Sequence, residues 1–224
     1  MTEQPKYIIF YGPPGCGKGS QARKISALLN IGHQSSGSLL RGEIANETEI
    51  GLNIKETLEE GKLVSNEIVN KVIKRAMLAE KFKTGILFDG YPRTLLQSKS
   101  LTEMVNEIEG NLVSLIWIDV PDNVLKKRIL GRRTHRKSGR IYNIYFNPPK
   151  VEMKDDITGE PLTLRKDDTK EVLNRRLNIY HKEDNEILDY YRQMNKLIHI
   201  DGTLSIDETH KAIKSELTKF GIEF

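Results

Sequence analysis

Tyr7-Ile8-Ile9-Phe10-Tyr11-Gly12-Pro13-Pro14-Gly15-Cys16-Gly17-Lys18-Gly19-Ser20 decides the fold. An apolar run of strand formers stops at a glycine-rich loop, and a lysine opens a helical pattern directly after it. This is the layout of a phosphate-binding P-loop. Backbone N–H groups and a helix N-terminus cradle phosphates there, and Lys18 reaches the outer ones as a mobile point charge. The glycine–lysine spacing alone is a weak signal; the strand before it and the helix after it supply the context. One detail is unusual. Most P-loops place Ser or Thr directly after the lysine to hold Mg²⁺. Here Gly19 stands in that place and the hydroxyl comes one step late, at Ser20, so another group has to help with the metal.

Working outward, residues 6–11 read as a buried strand and 18–30 as a helix with Ala22, Ile25, Leu28 and Leu29 on one face. Residues 32–37 read as a loop with room for one short strand. Helical patterns follow near 38–46, 50–59 and 66–81. The last carries Ile68, Val69, Val72, Ile73, Ala76 and Met77 at helical spacing, with Ser65 or Asn66 as cap. Residues 85–89, 112–119 and 196–201 are further strands. Strands alternating with helices imply a parallel sheet with helices on both faces. Ligands in such sheets sit at the carboxyl ends of the strands, where Gly12, Asp89, Asp119 and Asp201 fall. The polar, turn-rich segment 131–168 breaks this pattern and reads as a small inserted lid of short strands. A long helix follows, with Leu173, Leu177, Tyr180, Ile187, Leu188, Tyr191 and Met194 on its apolar stripe, and a last helix begins near Ser205.

Composition bounds the function. The chain has 224 residues, 38% hydrophobic and 29% charged, which suits one α/β domain with small inserts. No apolar stretch approaches the roughly 18 residues needed to span a bilayer. Met1-Thr2-Glu3-Gln4 shows neither an apolar signal region nor an Arg-rich leader, and no glycine follows Met1, so the expected location is cytoplasmic, away from membranes. The single cysteine, Cys16, excludes an internal disulfide and a four-cysteine zinc site, and reads as a small loop residue. The net charge of +4 could suggest nucleic acid. No aromatic–basic interleaving supports that partner, and the arginines gather around a few motifs, which points to compact phosphate targets.

Asp89 ends the run Ile86-Leu87-Phe88 as an acid that orients Mg²⁺ and its waters beside a P-loop, the alternative being a helix cap. Gly90-Tyr91-Pro92-Arg93 follows at once. The glycine allows close approach of backbone, and the arginine can grip a phosphate with two hydrogen bonds.

Taken together, the motifs resemble those of the adenylate kinase family in its long-lid form. The matching segments are Gly12 to Ser20, Ser36-Gly37 with Arg41, Gly61-Lys62-Leu63-Val64, Asp89 to Thr94 with Gln97, Gly131-Arg132-Arg133, Ser138 to Tyr142, Phe146 to Lys150, Leu164 to Asp168, and Arg175-Arg176. They run in family order from about residue 6 to residue 203. The resemblance implies a P-loop nucleoside monophosphate kinase fold: a parallel five-stranded sheet flanked by helices, with a helical AMP-binding insert at 35–64 and a small β lid at 131–168. The core would comprise 1–34, 65–130 and 169–224. The implied reaction is reversible transfer of the terminal phosphoryl group of ATP to AMP, giving two ADP, with Mg²⁺ as cofactor and a monomer as the working form.

The resemblance also distributes roles. ATP would lie along Gly15, Cys16, Gly17, Lys18, Gly19 and Ser20, under Arg128 and Arg132 and against Ile141 and Tyr142, with the backbone of Leu204 at its base. Arg128 and Arg132, four residues apart, would share one helical face. AMP would meet Ser36, Arg41, the backbone of Lys62, Leu63 and Val64, then Gly90, Tyr91, Pro92, Arg93 and Gln97, whose amide can read adenine. Arg165 and Arg176 would reach the transferring group. Lys18, Arg93, Arg128, Arg132, Arg165, Arg176 and Asp89 form the implied catalytic set, with Mg²⁺ held through nucleotide and waters near Ser20 and Asp89. Phosphoryl transfer leaves little covalent work to the protein, so many cations and a water-excluding lid are what the chemistry requires.

In the lid, His135, Ser138, Asp155 and Thr158 stand where some members of the family place four zinc-binding cysteines. Neutral hydroxyls are poor zinc ligands; the expectation is a hydrogen-bonded corner without structural zinc. Other departures are Ser38, where an acid usually helps order the magnesium waters, Asn66 for a frequent Asp, Leu96 for a common proline, and Leu204 for a common lysine. Rival readings are a GTP:AMP phosphotransferase, which shares nearly every motif; a UMP/CMP kinase, against which the long lid argues; and a regulatory nucleotide-binding module, against which the full set of cations argues.

Overall fold

The computed structural model describes residues 4–165 and 167–224. The leader reading at Met1 to Glu3 and Lys166 of the 164–168 motif lie outside the described residues. Five parallel strands form one sheet in the order β2-β3-β1-β4-β7: β1 (Lys6–Tyr11), β2 (Gly32–Ser35), β3 (Gly85–Asp89), β4 (Asn111–Asp119) and β7 (Leu197–Asp201). Two short antiparallel strands, β5 (Arg132–Thr134) and β6 (Ile141–Asn143), make the lid.

The central strands β1, β3 and β4 are largely apolar on both faces because helices cover both. On β1, Tyr7, Ile9 and Tyr11 enter one core while Ile8 and Phe10 enter the other. The first core is closed by α2 (Ser36–Ala45), α3 (Glu49–Glu59), α4 (Asn66–Met77) and α5 (Leu95–Glu107). The second is closed by α1 (Lys18–Leu28), α6 (Asp122–Leu130) and α8 (Ile206–Lys219). The 24-residue α7 (Lys170–Gln193) serves both: Leu173 and Leu177 join the second core, Ile187, Leu188 and Tyr191 the first. Ile9 is fully buried; its truncation to alanine costs about 2–5 kcal/mol.

Three local expectations differ from the structure. Residues 32–35 are a full edge strand, paired along β3 from Gly32↔Ile86 to Ser35↔Asp89, rather than mainly loop. The pattern at 66–81 is helical only to Met77, and a short 3₁₀ turn, Glu80–Phe82, follows. Of the two cap candidates for α4 it is Ser65 that serves, accepting from the Ile68 N–H at 3.4 Å. Finally, Arg128 and Arg132 do not share a helical face: α6 ends at Leu130, Gly131 is its C-cap, and Arg132 opens β5. Glycine there lets the chain leave the helix where a Cβ would stand 2.6 Å from the Tyr145 ring.

Candidate active site

The P-loop turns through glycines. Gly17, at φ 99°, holds the left-handed N-cap position of α1, with no side chain capping the helix. That end is left to an anionic ligand. Lys18, the first helical residue, lies back over the loop and donates to the Pro13 carbonyl at 3.0 Å. Cys16 is buried beneath it. The late hydroxyl has a spatial cause. A Cβ on Gly19 would stand 2.9 Å from Oδ2 of Asp89, so the carboxylate occupies the room a side chain after the lysine would need.

Asp89 sits at the carboxyl end of β3, beside Phe10 of β1 and Ser35 of β2. Burial pushes its carboxyl up, but contact with His33 and the charges of Lys18 and Arg93 outweigh it, so its pKa lies below the usual carboxylate value. His33 Nε2 stands 3.8 Å from Asp89 Oδ2 and has no hydrogen-bond partner. An ionised carboxylate beside the first turn of α1, which carries Ser20, is an oxygen-only donor set that fits a hard cation such as Mg²⁺.

Opposite this carboxylate, cations from every part of the chain converge. Burial and the neighbouring charges of Arg132 and Arg41 push Arg165 down to about 10. Burial, Arg176 and Arg41 lower Arg93, and burial, Arg176 and Arg132 lower Arg41. Arg41 comes from α2, Arg93 from the loop after β3, Arg132 and Arg165 from the lid, and Arg176 from α7. Arg93 keeps accessible surface within the cleft, while Nε donates to the Gly90 carbonyl at 2.8 Å. Two acids partly offset the cluster. Asp168 accepts from Arg132 Nε at 2.7 Å and from its second nitrogen as well. Asp167 accepts from Arg176 at 2.6 Å. The motif Leu164 to Asp168 assigned no role to either acid, and their place two and three residues beyond Arg165 was the available signal.

The remaining site residues fall on two sides. On the ATP side, Arg128 donates to the Cys16 carbonyl at 3.3 Å, and its guanidinium lies 5.8 Å from the Phe146 ring centre. Ile141 is half-buried on β6, and Leu204 is exposed in the turn after β7. Tyr142 is buried, and its hydroxyl donates to Asp155 at 3.0 Å, so its ring belongs to the lid corner and leaves its backbone for a ligand. On the AMP side, the Ser36 hydroxyl donates to the Gly90 carbonyl at 2.5 Å. Lys62, Leu63 and Val64 follow α3, with Val64 buried. Pro92 is buried as well. Tyr91 is 1% exposed and its hydroxyl donates to Asn70 at 2.8 Å; its ring is core, and only its backbone is left for a ligand. The Arg93 N–H donates to Oε1 of the buried Gln97 at 2.7 Å.

The lid corner is closed by its own bonds. His135 Nδ1 meets the Ser138 hydroxyl at 2.7 Å, and Nε2 meets Glu160 at 2.7 Å. Asp155 accepts from Thr158 N–H and hydroxyl, both at 2.9 Å, and from Arg140 at 2.8 and 2.6 Å. The Arg140 guanidinium, against the opposing pull of burial, and with help from Thr158 and Tyr142, holds the Asp155 carboxyl far below the ordinary range. Arg140, Tyr142 and Glu160 are thus corner members that the four-residue expectation did not include. Among the described residues, no group of three or more His, Cys, Asp or Glu side chains is placed to hold a metal ion. No helix among them is long and apolar enough to cross a membrane.

A P-loop at the edge of a five-stranded parallel sheet, an acid on the neighbouring strand, and arginines converging from a helical insert and a lid define the class of P-loop nucleoside monophosphate kinases. Comparison with known proteins narrows the class. The adenylate kinase family model matches residues 10–196. An adenylate kinase of Francisella philomiragia subsp. philomiragia is 41% identical over 217 residues, covering 94% of this chain and 99% of the relative. One from Thermosipho melanesiensis is 37% identical over 206 residues, covering 92% and 96%. One from Francisella tularensis subsp. novicida is 38% identical over 219 residues, covering 95% and 99%. The chain belongs to the adenylate kinase family.

Proposed function

We propose that the chain transfers the terminal phosphoryl group of ATP to AMP, reversibly, through the cluster described above. The observation that carries this reading is the convergence of Arg41, Arg93, Arg132, Arg165 and Arg176 opposite Lys18 and Asp89, with Asp167 and Asp168 paired against Arg176 and Arg132. Gathered like charges are costly unless an anion joins them. Two nucleotides supply the missing charge. Lys18 follows the transferring group, Arg132 and Arg165 close over it from the lid, and Arg93 and Arg176 hold the accepting monophosphate. Arg41 grips its phosphate from the insert. None of these groups forms a bond to phosphorus; they position and neutralise, which is the protein's share of such a reaction.

In this reading Mg²⁺ comes with ATP, held through waters near Ser20 and Asp89. When bound, it neutralises phosphate oxygens and lowers the charge barrier to transfer. With Ser38 in place of an acid, Asp89 is the protein carboxylate left for that role. Residues 35–64 and 131–168 are the moving parts around a core of 1–34, 65–130 and 169–224. Lid closure excludes water, which prevents the enzyme from acting as an ATPase. The same reading takes the protein as a cytoplasmic monomer without structural zinc.

A coupled assay with ATP plus AMP, run against a panel of other donors and acceptors, tests this. ADP formation from ATP and AMP is the expected result. Absence of transfer to AMP from any donor would refute it, and a higher kcat/KM with GTP would favour the GTP:AMP alternative.

A further inference from the structure

We propose that Asn66 sets the base specificity of the monophosphate pocket by fixing which way round the Gln97 amide stands. This rests on the reading of that pocket given above, and goes beyond it in naming how one base is chosen.

A glutamine amide has nearly the same shape when its oxygen and nitrogen exchange places, but its hydrogen-bonding sense reverses. A base-reading glutamine is therefore selective only if its orientation is fixed. Here both ends are tied. The Arg93 backbone N–H, which can only donate, meets Gln97 Oε1 at 2.7 Å. At the other end Gln97 Nε2 donates to Asn66 Oδ1 at 2.9 Å. Asn66 could in turn flip, but Thr94 holds it. The Thr94 hydroxyl accepts the Gln97 backbone N–H at 3.1 Å and donates its proton to Asn66 Oδ1 at 3.0 Å. Asn66 is available for this because Ser65 takes the cap of α4. Both ends of this chain of bonds rest on backbone N–H groups, of Arg93 and of Gln97, whose polarity cannot change.

The chemistry that follows is specific. Gln97 is 2% exposed, so bulk water cannot stand in for a lost partner. Its oxygen has accepted one bond and its nitrogen has donated one. One lone pair and one N–H remain for a ligand. Adenine presents an amino donor at N6 and an acceptor at N1, which complement that pair. Guanine and hypoxanthine present an acceptor at O6 and a donor at N1, the reverse order. Against an amide held this way they meet acceptor with acceptor and donor with donor, leaving buried groups unpaired.

The test compares the full-length protein with Asn66→Ala and Asn66→Asp, using AMP, GMP and IMP as acceptors at saturating ATP. Asn66→Ala is expected to raise KM for AMP and narrow the AMP-to-GMP and AMP-to-IMP ratios of kcat/KM by about tenfold. The KM for ATP and the melting temperature should stay near their original values, which a merely structural role for Asn66 would not leave in place. Asn66→Asp keeps an acceptor for both donors and is expected to restore the ratios. Ratios unchanged within about twofold in Asn66→Ala would overturn the proposal. If that variant melts early, calorimetric binding of AMP against IMP, below its melting range, measures the same ratio and decides in the same way. Failure of the unaltered protein to phosphorylate any monophosphate would instead refute the reading of the pocket.

Discussion

The phosphate cleft and the lid corner are both dense in charge, yet they are built on opposite plans. In the corner, Asp155, Arg140, His135, Ser138, Thr158 and Glu160 satisfy one another within hydrogen-bond distance. In the cleft, arginines outnumber the acids that face them, and burial and mutual repulsion lower Arg41, Arg93 and Arg165. The corner completes itself through its own hydrogen bonds. The cleft is left incomplete, which suits it to the anionic nucleotides of the proposed reaction. Stability has been placed in one region and binding capacity in the other, the usual exchange at functional sites.

The largest expected effect removes a cation from the incomplete region. Arg93→Ala should lower kcat/KM by about 100- to 1,000-fold, with a melting temperature unchanged or slightly raised because repulsion is relieved. Near-normal turnover would break the contrast. Gly19→Ser places a side chain against Asp89, and by displacing that carboxylate it should cost about 100-fold in kcat. Full activity would show that Asp89 has room to move. Asp155→Ala attacks the complete region instead. Hydrogen exchange should quicken across residues 131–168, with a smaller loss of activity than Arg93→Ala produces. Unchanged exchange would mean that the corner is not what holds the lid.

Smaller effects sharpen the same comparison. Two adenosines joined by five phosphates should raise the melting temperature. At 100 times its dissociation constant the gain is about 2.7 kcal/mol, or about 5–10 °C for a chain of this size. The rise should be lost in Arg93→Ala and kept in part in Asp155→Ala. The smallest effect is the corner's response to acid. Asp155 has a folded pKa below its ordinary value of 3.8. Its stabilising share is therefore present above that value and is lost only as pH falls below it, towards the depressed folded pKa. Lid protection that stays level on acidification below that value would contradict the assignment.

Much of this was legible along the chain. The glycine-rich loop after β1, the acid ending β3, a pair of short strands within 131–168 and the alternation of strands and helices are local patterns of period and composition, and each appears where its residues suggested. The misread features share one cause. Arg128 and Arg132 have helical spacing, but whether a helix continues past Gly131 depends on Tyr145 packing over that glycine. Residues 32–35 carry no strong strand signal; pairing with β3 makes them a strand. Asp167 and Asp168 lie in the quoted motif without a role until Arg176 and Arg132 are brought beside them.

By itself, the sequence determined that this protein binds nucleotide phosphates on a parallel α/β sheet, and its ordered motifs determined the family. Only the tertiary structure decided how the unusual Gly19 is compensated, which acids face which arginines, and which way the Gln97 amide points. The physical reason is that periodicity and capping act between neighbours in the chain, whereas steric exclusion and hydrogen-bond polarity act between atoms that meet in space. Asp89 fills the room beside Gly19, and Asn66 orients Gln97, only because folding brings distant segments within about 3 Å.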